Sequence, residues 1–223
     1  PARPMQDSLL ARKRVEVVAI GVSTGGPNAL NEIVSSLPRD FPVPVVIVQH
    51  MPPIFTRILA DRLSARASME VREGVEGGAL RAGSVWIAPG NHHMEIGREG
   101  GIFRLKLNQG PPQNSCRPAV DVLFRSVAFH YGESALAVVL TGMGQDGLRG
   151  CEAIAQAGGQ VLVQDEASSV VWGMPGFVAR AGLAHRILAL SQLGGEIIRR
   201  VEIGRSKPEG LVRERLSRVY LGS

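Results

Sequence analysis

The sequence predicts an α/β fold in which a parallel sheet is covered by helices on both faces. Apolar runs typical of strands alternate along the chain with segments whose apolar residues recur at helical spacing. The strand-like runs are apolar on both faces, which is typical of strands buried on both sides of a sheet. In such open sheets the carboxyl ends of the strands meet at one edge, where ligands bind.

The first half of the chain contains two predicted strand–helix units. Residues 15–20 are an apolar strand, and Pro27 then suits the first position of a helix. Apolar residues at positions 30, 33, 34 and 37 share one face of that helix, which Pro38 ends. Residues 43–49 (VPVVIVQ) are the second strand, and a second helix is predicted over 55–63.

The rest of the core begins with short strands and a hairpin and then returns to alternating helices and strands. The short strands are predicted around 69–72 and 85–88, and the hairpin pairs 92–97 with 102–107 across a turn at Glu99-Gly100-Gly101. After it we predict, in order, a helix over 120–131, a strand over 135–141, a helix over 148–157, a strand over 160–164, a helix over 176–182, a strand over 186–190 and a helix over 191–201.

Composition favours one globular domain. The chain has 223 residues, of which 44% are hydrophobic and 20% charged, so it can bury a sizeable core. No apolar run approaches the roughly 20 residues of a membrane span, and the first residues lack the order of a signal peptide. We therefore expect a cytoplasmic protein that does not insert into membranes. Cys116 and Cys151 lie far apart without a CxxC pairing and are expected to be free thiols.

The net charge of +5 is concentrated at the two ends of the chain. Residues 1–14 carry +3 and residues 199–223 carry +4, which leaves −2 for the residues between them. Because a nucleic-acid-binding fold usually carries its basic residues on the folded face, we predict no nucleic-acid partner. The expected organisation is a linker or disordered segment over 1–14, a folded domain over 15–201 and a basic tail over 202–223.

The most informative stretch follows the first strand. Gly21-Val22-Ser23-Thr24-Gly25 fits the G-x-S-x-G pattern, in which a sharp strand-to-helix turn presents a serine hydroxyl at the edge of a sheet. Thr24 and Gly25 would lie near the helix N-terminus, where free N–H groups can face a developing negative charge. The alternative is a glycine-rich turn in which Ser23 is merely polar, because short motifs also arise by chance.

Three polar residues fall just past the carboxyl ends of predicted strands: Ser23, His50 and Asp146. They are the residue types of a nucleophile, a base and a carboxylate that orients the base. Because a parallel sheet places these positions on one edge, their coincidence favours catalysis over a plain turn. Asp121 and Asp165 are rival carboxylates, and the alternative for Asp121 is a solvent-facing or capping role on its helix.

A second glycine motif points to a different function. Gly142, Gly144 and Gly147 spell G-x-G-x-x-G between a strand and a helix, and Asp165 lies where an acidic residue meets a ribose in dinucleotide-binding folds. Against this reading, Asp146 lies inside the loop, where its carboxylate would repel a pyrophosphate. A dinucleotide-dependent oxidoreductase therefore remains the alternative to a hydrolase.

The sequence predicts no metal site and no cofactor. His92 and His93 would point to opposite faces of a strand, and none of the five histidines joins cysteines or carboxylates at the spacing of metal ligands. Cys116, between Ser115 and Arg117 in a polar loop, is either a reactive thiol or a spare free cysteine. We favour the second, because nothing in the sequence indicates a lowered thiol pKa.

Six short blocks occur in order between residues 15 and 201. They are residues 20–27 (IGVSTGGP), 49–52 (QHMP), 87–90 (IAPG), 117–124 (RPAVDVLF), 141–147 (TGMGQDG) and 164–168 (QDEAS). Together they resemble the catalytic domain of the CheB family, the protein-glutamate methylesterases that act on chemotaxis receptors. The resemblance implies a three-layer α/β/α domain with a mostly parallel, doubly wound sheet and a hairpin near the active site.

The resemblance also implies roles for particular residues. The family's catalytic triad falls on Ser23, His50 and Asp146, and its oxyanion hole on the backbone N–H of Met143, with Thr24 as a further contributor. The chain order Ser…His…Asp differs from the Ser…Asp…His order of α/β-hydrolases. With His50 as the base, we expect activity to rise through about pH 6.5, the ordinary pKa of histidine.

The substrates that the resemblance implies are γ-methyl esters of glutamate on the cytoplasmic domains of methyl-accepting chemoreceptors. Their hydrolysis releases methanol, and the same residues can deamidate receptor glutamines. Full-length members of the family also carry an N-terminal receiver domain, which we expect to be absent here because only a short basic segment precedes the first strand.

Overall fold

The structure is a computed structural model that describes residues 14–205. Residues 1–13 and 206–223 lie outside the described residues, and with them most of the predicted linker and most of the predicted basic tail. The described part contains the whole series of predicted strands and helices.

Nine strands in the described residues form one sheet and one hairpin. They are β1 (Val17–Val22), β2 (Val45–Gln49), β3 (Glu70–Glu73), β4 (Ser84–Ile87), β5 (His93–Glu99), β6 (Ile102–Asn108), β7 (Ala135–Val139), β8 (Gln160–Gln164) and β9 (Arg186–Leu188). Seven of them pair in parallel in the order β3-β4-β2-β1-β7-β8-β9, and β5 pairs with β6 antiparallel. The predicted parallel sheet is therefore confirmed.

Six α-helices cover the sheet. They are α1 (Gly26–Ser36), α2 (Phe55–Ser64), α3 (Val120–Tyr131), α4 (Leu148–Gln156), α5 (Met174–Arg180) and α6 (Leu190–Glu202). Helices α1, α2 and α6 pack on one face, whereas α3, α4, α5 and the hairpin pack on the other. Within residues 14–205, no helix is long and apolar enough to cross a membrane.

Strand β1 shows why the runs are apolar on both faces. Val18 and Ile20 belong to the core under α1 and α6, and Val17 and Ala19 belong to the core under α3 and α4. Successive side chains of a strand point to opposite faces, so a strand between two helical layers needs apolar residues at every position. The doubly wound, three-layer arrangement follows from this pattern.

The first strand begins and ends two residues later than its sequence predicts. Gly21, which directly follows the predicted strand, pairs with Val48 and Val139 inside the sheet. The absence of a side chain at Gly21 lets α3 pack closely on the strand, because a Cβ there would lie 2.3 Å from Cγ1 of Val120. The turn into α1 instead uses Gly25, which adopts a left-handed φ of 83°.

The predicted hairpin is confirmed, and its turn has the expected residues. Glu99 pairs with Ile102, and Gly100 and Gly101 adopt φ values of 56° and 84°. Positive φ at both central residues is the backbone that a two-residue hairpin requires. The strand begins at His93, whose Nδ1 accepts a hydrogen bond from the Ala119 N–H at 3.2 Å and so fastens the hairpin to the start of α3.

The glycine after β4 is expected to be essential for packing. A Cβ at Gly90 would lie 2.4 Å from the Pro53 nitrogen, which is backbone and cannot swing aside. We predict that Gly90→Ala lowers the free energy of unfolding by about 1–3 kcal/mol, the usual cost of overpacking. Urea denaturation measures this value.

Gly195→Ala is the matched control, because a Cβ at this helical position of α6 meets nothing within 4 Å. There the same substitution should raise the free energy of unfolding by up to about 1 kcal/mol through helix propensity. Equal stability of the Gly90→Ala variant and the unsubstituted chain would contradict the packing argument.

Candidate active site

Adjacent parallel strands place Ser23 and His50 at one edge of the sheet. Val22 pairs with Gln49 in the register of β1 and β2. Ser23 and His50 are therefore the first residues after the paired ends of these two strands. The His50 N–H donates a hydrogen bond to the Val22 carbonyl oxygen at 3.1 Å, which continues this pairing past the strand ends. Asp146, in the loop after β7, lies beside His50, with its Oδ2 2.7 Å from Nε2 of the ring.

The carboxylate of Asp146 is buried and fully surrounded by donors. The residue is 2% exposed. Its donors besides His50 are the N–H groups of Val120, Asp121 and Gly147, at 2.7, 3.0 and 3.0 Å, and the side-chain amide of Asn114, at 2.9 Å. Three of these groups lie at or next to the N-termini of α3 and α4, where N–H groups have no helical partner. The two helix starts therefore form the site of the carboxylate.

These contacts decide the charge of Asp146. Burial alone raises the pKa of its carboxyl, but the hydrogen bond with His50 and those from the Asp121 and Val120 N–H groups outweigh burial and hold the pKa below its usual range. Hydrogen bonds to the charged form stabilise it. Asp146 is therefore a carboxylate at neutral pH.

The charge of Asp146 in turn changes His50. Burial alone lowers the pKa of the imidazole, yet its hydrogen bonds and electrostatic interactions with Asp146 and Cys116 raise that pKa to about 9. The ring is thus protonated in the resting site at neutral pH. Since Nε2 faces Asp146, the nitrogen left for any proton transfer with Ser23 is Nδ1.

Cys116 lies at that second ring nitrogen. Its Sγ is 3.6 Å from Nδ1 of His50, and the residue is half-buried. The favoured interpretation of Cys116 as a spare thiol missed this contact, as it missed the contact of Asn114 with Asp146. The only signal in the sequence is that both lie within the three residues before the block at 117–124, in one short polar loop.

No histidine joins cysteines or carboxylates at the spacing of metal ligands along the sequence, yet the fold brings one histidine to a cysteine and a carboxylate. Ligand atoms of His50, Cys116 and Asp146 lie within 4.8 Å of one another, the arrangement of a group that could hold a metal ion. However, Asp146 is on Nε2 and Cys116 is on Nδ1, at opposite sides of the ring. One ion could use either nitrogen but not the whole set, so the geometry favours proton transfer over chelation.

Asp121 neither faces solvent nor contacts His50. It is 3% exposed, and its Oδ1 accepts hydrogen bonds from the N–H groups of Gly147 and Gly150, at 2.9 and 2.7 Å. Its Oδ2 accepts a hydrogen bond from Asn114, whose amide also binds Asp146. Burial raises the pKa of Asp121, as does the nearby charge of Asp146. Asp121 therefore caps the start of α4, a different helix from its own, and fixes the loop that carries Asp146.

The other rival carboxylate, Asp165, serves its own loop. It accepts hydrogen bonds from the N–H and the hydroxyl of Ser168, at 3.0 and 2.6 Å. His185 is likewise structural, because its Nδ1 accepts a hydrogen bond from the Val161 N–H. Among the candidate carboxylates, it is Asp146 that meets His50.

Two loops flank Ser23. A Cβ at Gly142 would lie 2.7 Å from the Cβ of Ser23, so this glycine lets the loop after β7 approach closely. Met143 follows it, with 70% of its surface exposed. On the other side Thr24 begins the turn into α1, and its carbonyl oxygen accepts a hydrogen bond from the Thr141 hydroxyl at 2.9 Å. Both residues expected at an oxyanion hole therefore neighbour Ser23 along these loops.

The G-x-G-x-x-G loop is occupied by the chain's own carboxylates. The Gly147 N–H binds Asp121 and Asp146, and the Gly150 N–H binds Asp121. A dinucleotide pyrophosphate needs the N–H groups of such a helix start, and two buried carboxylates already use them here. The arrangement argues against the dinucleotide interpretation.

Comparison with known proteins agrees with this geometry. The family model described as CheB methylesterase matches residues 18–197. A protein-glutamate methylesterase/protein-glutamine glutaminase from Trichodesmium erythraeum is 60% identical over 188 residues, 84% of this chain and 53% of its own length. One with the same description from Nocardioides is 52% identical over 192 residues, 86% of this chain and 52% of its own length. The chain thus spans about half the length of these curated relatives.

A solved structure shows the same fold. The crystal structure of the Thermotoga maritima CheB methylesterase catalytic domain superposes with a TM-score of 0.81 at 39% sequence identity, covering 82% of this chain and 97% of that one. The family model alone matches well over half of the chain. The chain belongs to the CheB methylesterase family.

Proposed function

We propose that this chain is a serine hydrolase that removes methyl groups from glutamate γ-methyl esters of chemoreceptors and releases methanol. The observation that carries the proposal is the hydrogen bond that Nε2 of His50 donates to the buried carboxylate of Asp146, at the sheet edge where Ser23 follows the neighbouring strand. Relatives at 60% and 52% identity described as protein-glutamate methylesterase/protein-glutamine glutaminase support it. No cofactor is required for this reaction.

The first half of the reaction is acyl transfer. Neutral His50 accepts the hydroxyl proton of Ser23 through Nδ1 as Oγ attacks the ester carbonyl carbon. Asp146 stabilises the imidazolium that forms and fixes the orientation of the ring, while the proton stays on the imidazole. The imidazolium then returns its proton to the departing methoxide, which leaves as methanol.

The second half regenerates the serine. Water takes the place of methanol, and its oxygen attacks the acyl carbon while His50 accepts one of its protons. The bond between the acyl carbon and Oγ of Ser23 then breaks, the imidazolium returns its proton to Oγ, and the glutamate carboxylate is free. In both halves a tetrahedral oxyanion forms. The N–H of Met143, and that of Thr24 with it, are the proposed donors to this oxyanion, and such a donor is typically worth on the order of 3 kcal/mol.

The same steps act on an amide. Attack on a glutamine side chain releases ammonia in place of methanol, because His50 can protonate the leaving nitrogen as it protonates methoxide. We propose this deamidation as the second activity, in agreement with the paired description of the relatives. The partner in both reactions is the cytoplasmic domain of a methyl-accepting chemoreceptor, which implies a cytoplasmic location.

We predict that Ser23→Ala abolishes methanol release from methylated receptor membranes. Loss of a triad nucleophile typically lowers turnover on the order of a million-fold. Ser35→Ala, the same substitution at an exposed position of α1, should leave the rate unchanged. Methanol release that survives Ser23→Ala with the fold intact would overturn the mechanism.

The pH dependence follows from the pKa of His50. Only the neutral ring accepts a proton, so the rate of methanol release should rise as the pH passes about 9, the pKa of His50. With an unperturbed histidine the rise would come at a pH of 6.5. The measurement is methanol release against pH, with release from Ser23→Ala subtracted because esters also hydrolyse in base. A plateau already reached at neutral pH would contradict the raised pKa.

A further inference from the structure

A constrained turn holds Cys116 against His50. The N–H of Gln113 donates to the Cys116 carbonyl oxygen at 3.0 Å, and the N–H of Cys116 donates back to Gln113 at 2.8 Å. Between them Asn114 and Ser115 adopt positive φ values of 50° and 61°, a conformation that costs non-glycine residues free energy and persists only when the surroundings determine it. The position of the thiol is therefore built into the fold.

The same turn reaches both sides of the catalytic ring. Asn114 binds the carboxylate that faces Nε2, and Cys116 places its sulfur at Nδ1. The titratable groups facing this pair are Asp146, on Nε2, and Asp121, which lies behind it on the same Asn114 amide. A nitrogen that must accept the proton of Ser23 thus has a second hydrogen-bonding partner.

We propose that Cys116 is a positioning residue of this active site, whose thiol shares a proton with Nδ1 of His50. The catalytic part of this proposal rests on the proposed function. In the proposed reaction Ser23 also needs Nδ1, so an alkyl group placed on Sγ beside that nitrogen should hinder hydrolysis. The raised pKa of His50 agrees with this contact.

The second cysteine provides an internal comparison. Cys151 is 0% exposed within α4, and burial raises its pKa well above the usual value. A thiol needs exposure and a group that takes its proton to react quickly. Cys116 is half-buried and lies against an imidazole nitrogen, whereas Cys151 has neither exposure nor an imidazole among the contacts described.

Alkylation by iodoacetamide tests the thiol–imidazole pair without any assay of hydrolysis. The sulfur forms a bond to the reagent's methylene carbon, the carbon–iodine bond breaks, iodide leaves, and the thiol proton stays on Nδ1. We expect mass spectrometry at neutral pH to find Cys116 modified and Cys151 unmodified. In His50→Ala the rate of alkylation at Cys116 should fall by about tenfold. Cys151 should stay unmodified in this variant, which shows that the fold is intact. If Cys151 reacts, His50→Gln is used in place of His50→Ala.

Equal rates at Cys116 with and without the imidazole would overturn the pairing, and this result is independent of what the enzyme hydrolyses. For the catalytic part, we expect methanol release to fall in proportion to modification of Cys116. Cys116→Ser and Cys116→Ala should be insensitive to the reagent relative to their own untreated samples. Full hydrolysis by protein fully alkylated at Cys116 would overturn this part.

A pH profile separates a positioning role from a merely structural one. Cys116→Ala removes one of the contacts that raise the pKa of His50, so the rise in rate should move to lower pH. Cys116→Ser keeps an acceptor at Nδ1, so its rise in rate should fall at a pH between those of the unsubstituted protein and Cys116→Ala. Identical profiles in all three proteins would show that Cys116 does not act through His50. If the unsubstituted protein releases no methanol, the proposed function fails while the alkylation result still decides the pairing.

Discussion

The buried carboxylate of Asp146 is the interaction on which the site depends. A carboxylate removed from water is unstable unless donors replace the water, and here they come from the starts of α3 and α4, from Asn114 and from His50. Two helix starts, the loop that holds Asn114 and the residue after β2 thus meet at this group. Its charge explains why a half-buried imidazole keeps its proton well above neutrality.

Missing side chains make that convergence possible. Helix α3 can bring its N-terminus to Asp146 because Val120 packs against the bare backbone of Gly21. The loop after β7 can reach Ser23 because Gly142 has no Cβ to occupy the gap. These glycines lie in two of the sequence blocks shared with the family. Glycine is needed at both positions because neighbouring segments approach the backbone closely, more than because a turn requires it.

Much of the fold and part of the site could be predicted because they depend on local patterns. Two-faced apolar runs identify the strands, and parallel strand ends place Ser23, His50 and Asp146 on one edge. Contacts set by loop conformation could not be predicted. Nothing in the sequence shows that two left-handed residues at 114 and 115 turn Cys116 toward a ring 66 residues earlier. The raised pKa of His50 depends on its contacts with Asp146 and Cys116, and the capping role of Asp121 depends on the close approach of α3 and α4. These contacts form only once the helices and loops are packed.

A buried carboxylate that holds a protonated His50 at the edge carrying Ser23 should be visible in an NMR titration of the His50 ring. The ring nitrogen resonances, assigned with a His50→Gln variant, report the pKa independently of substrate. We predict titration at about pH 9 and a lower value in Asp146→Asn, where the charge is gone. Titration near pH 6.5 in both proteins, the ordinary value for histidine, would contradict it.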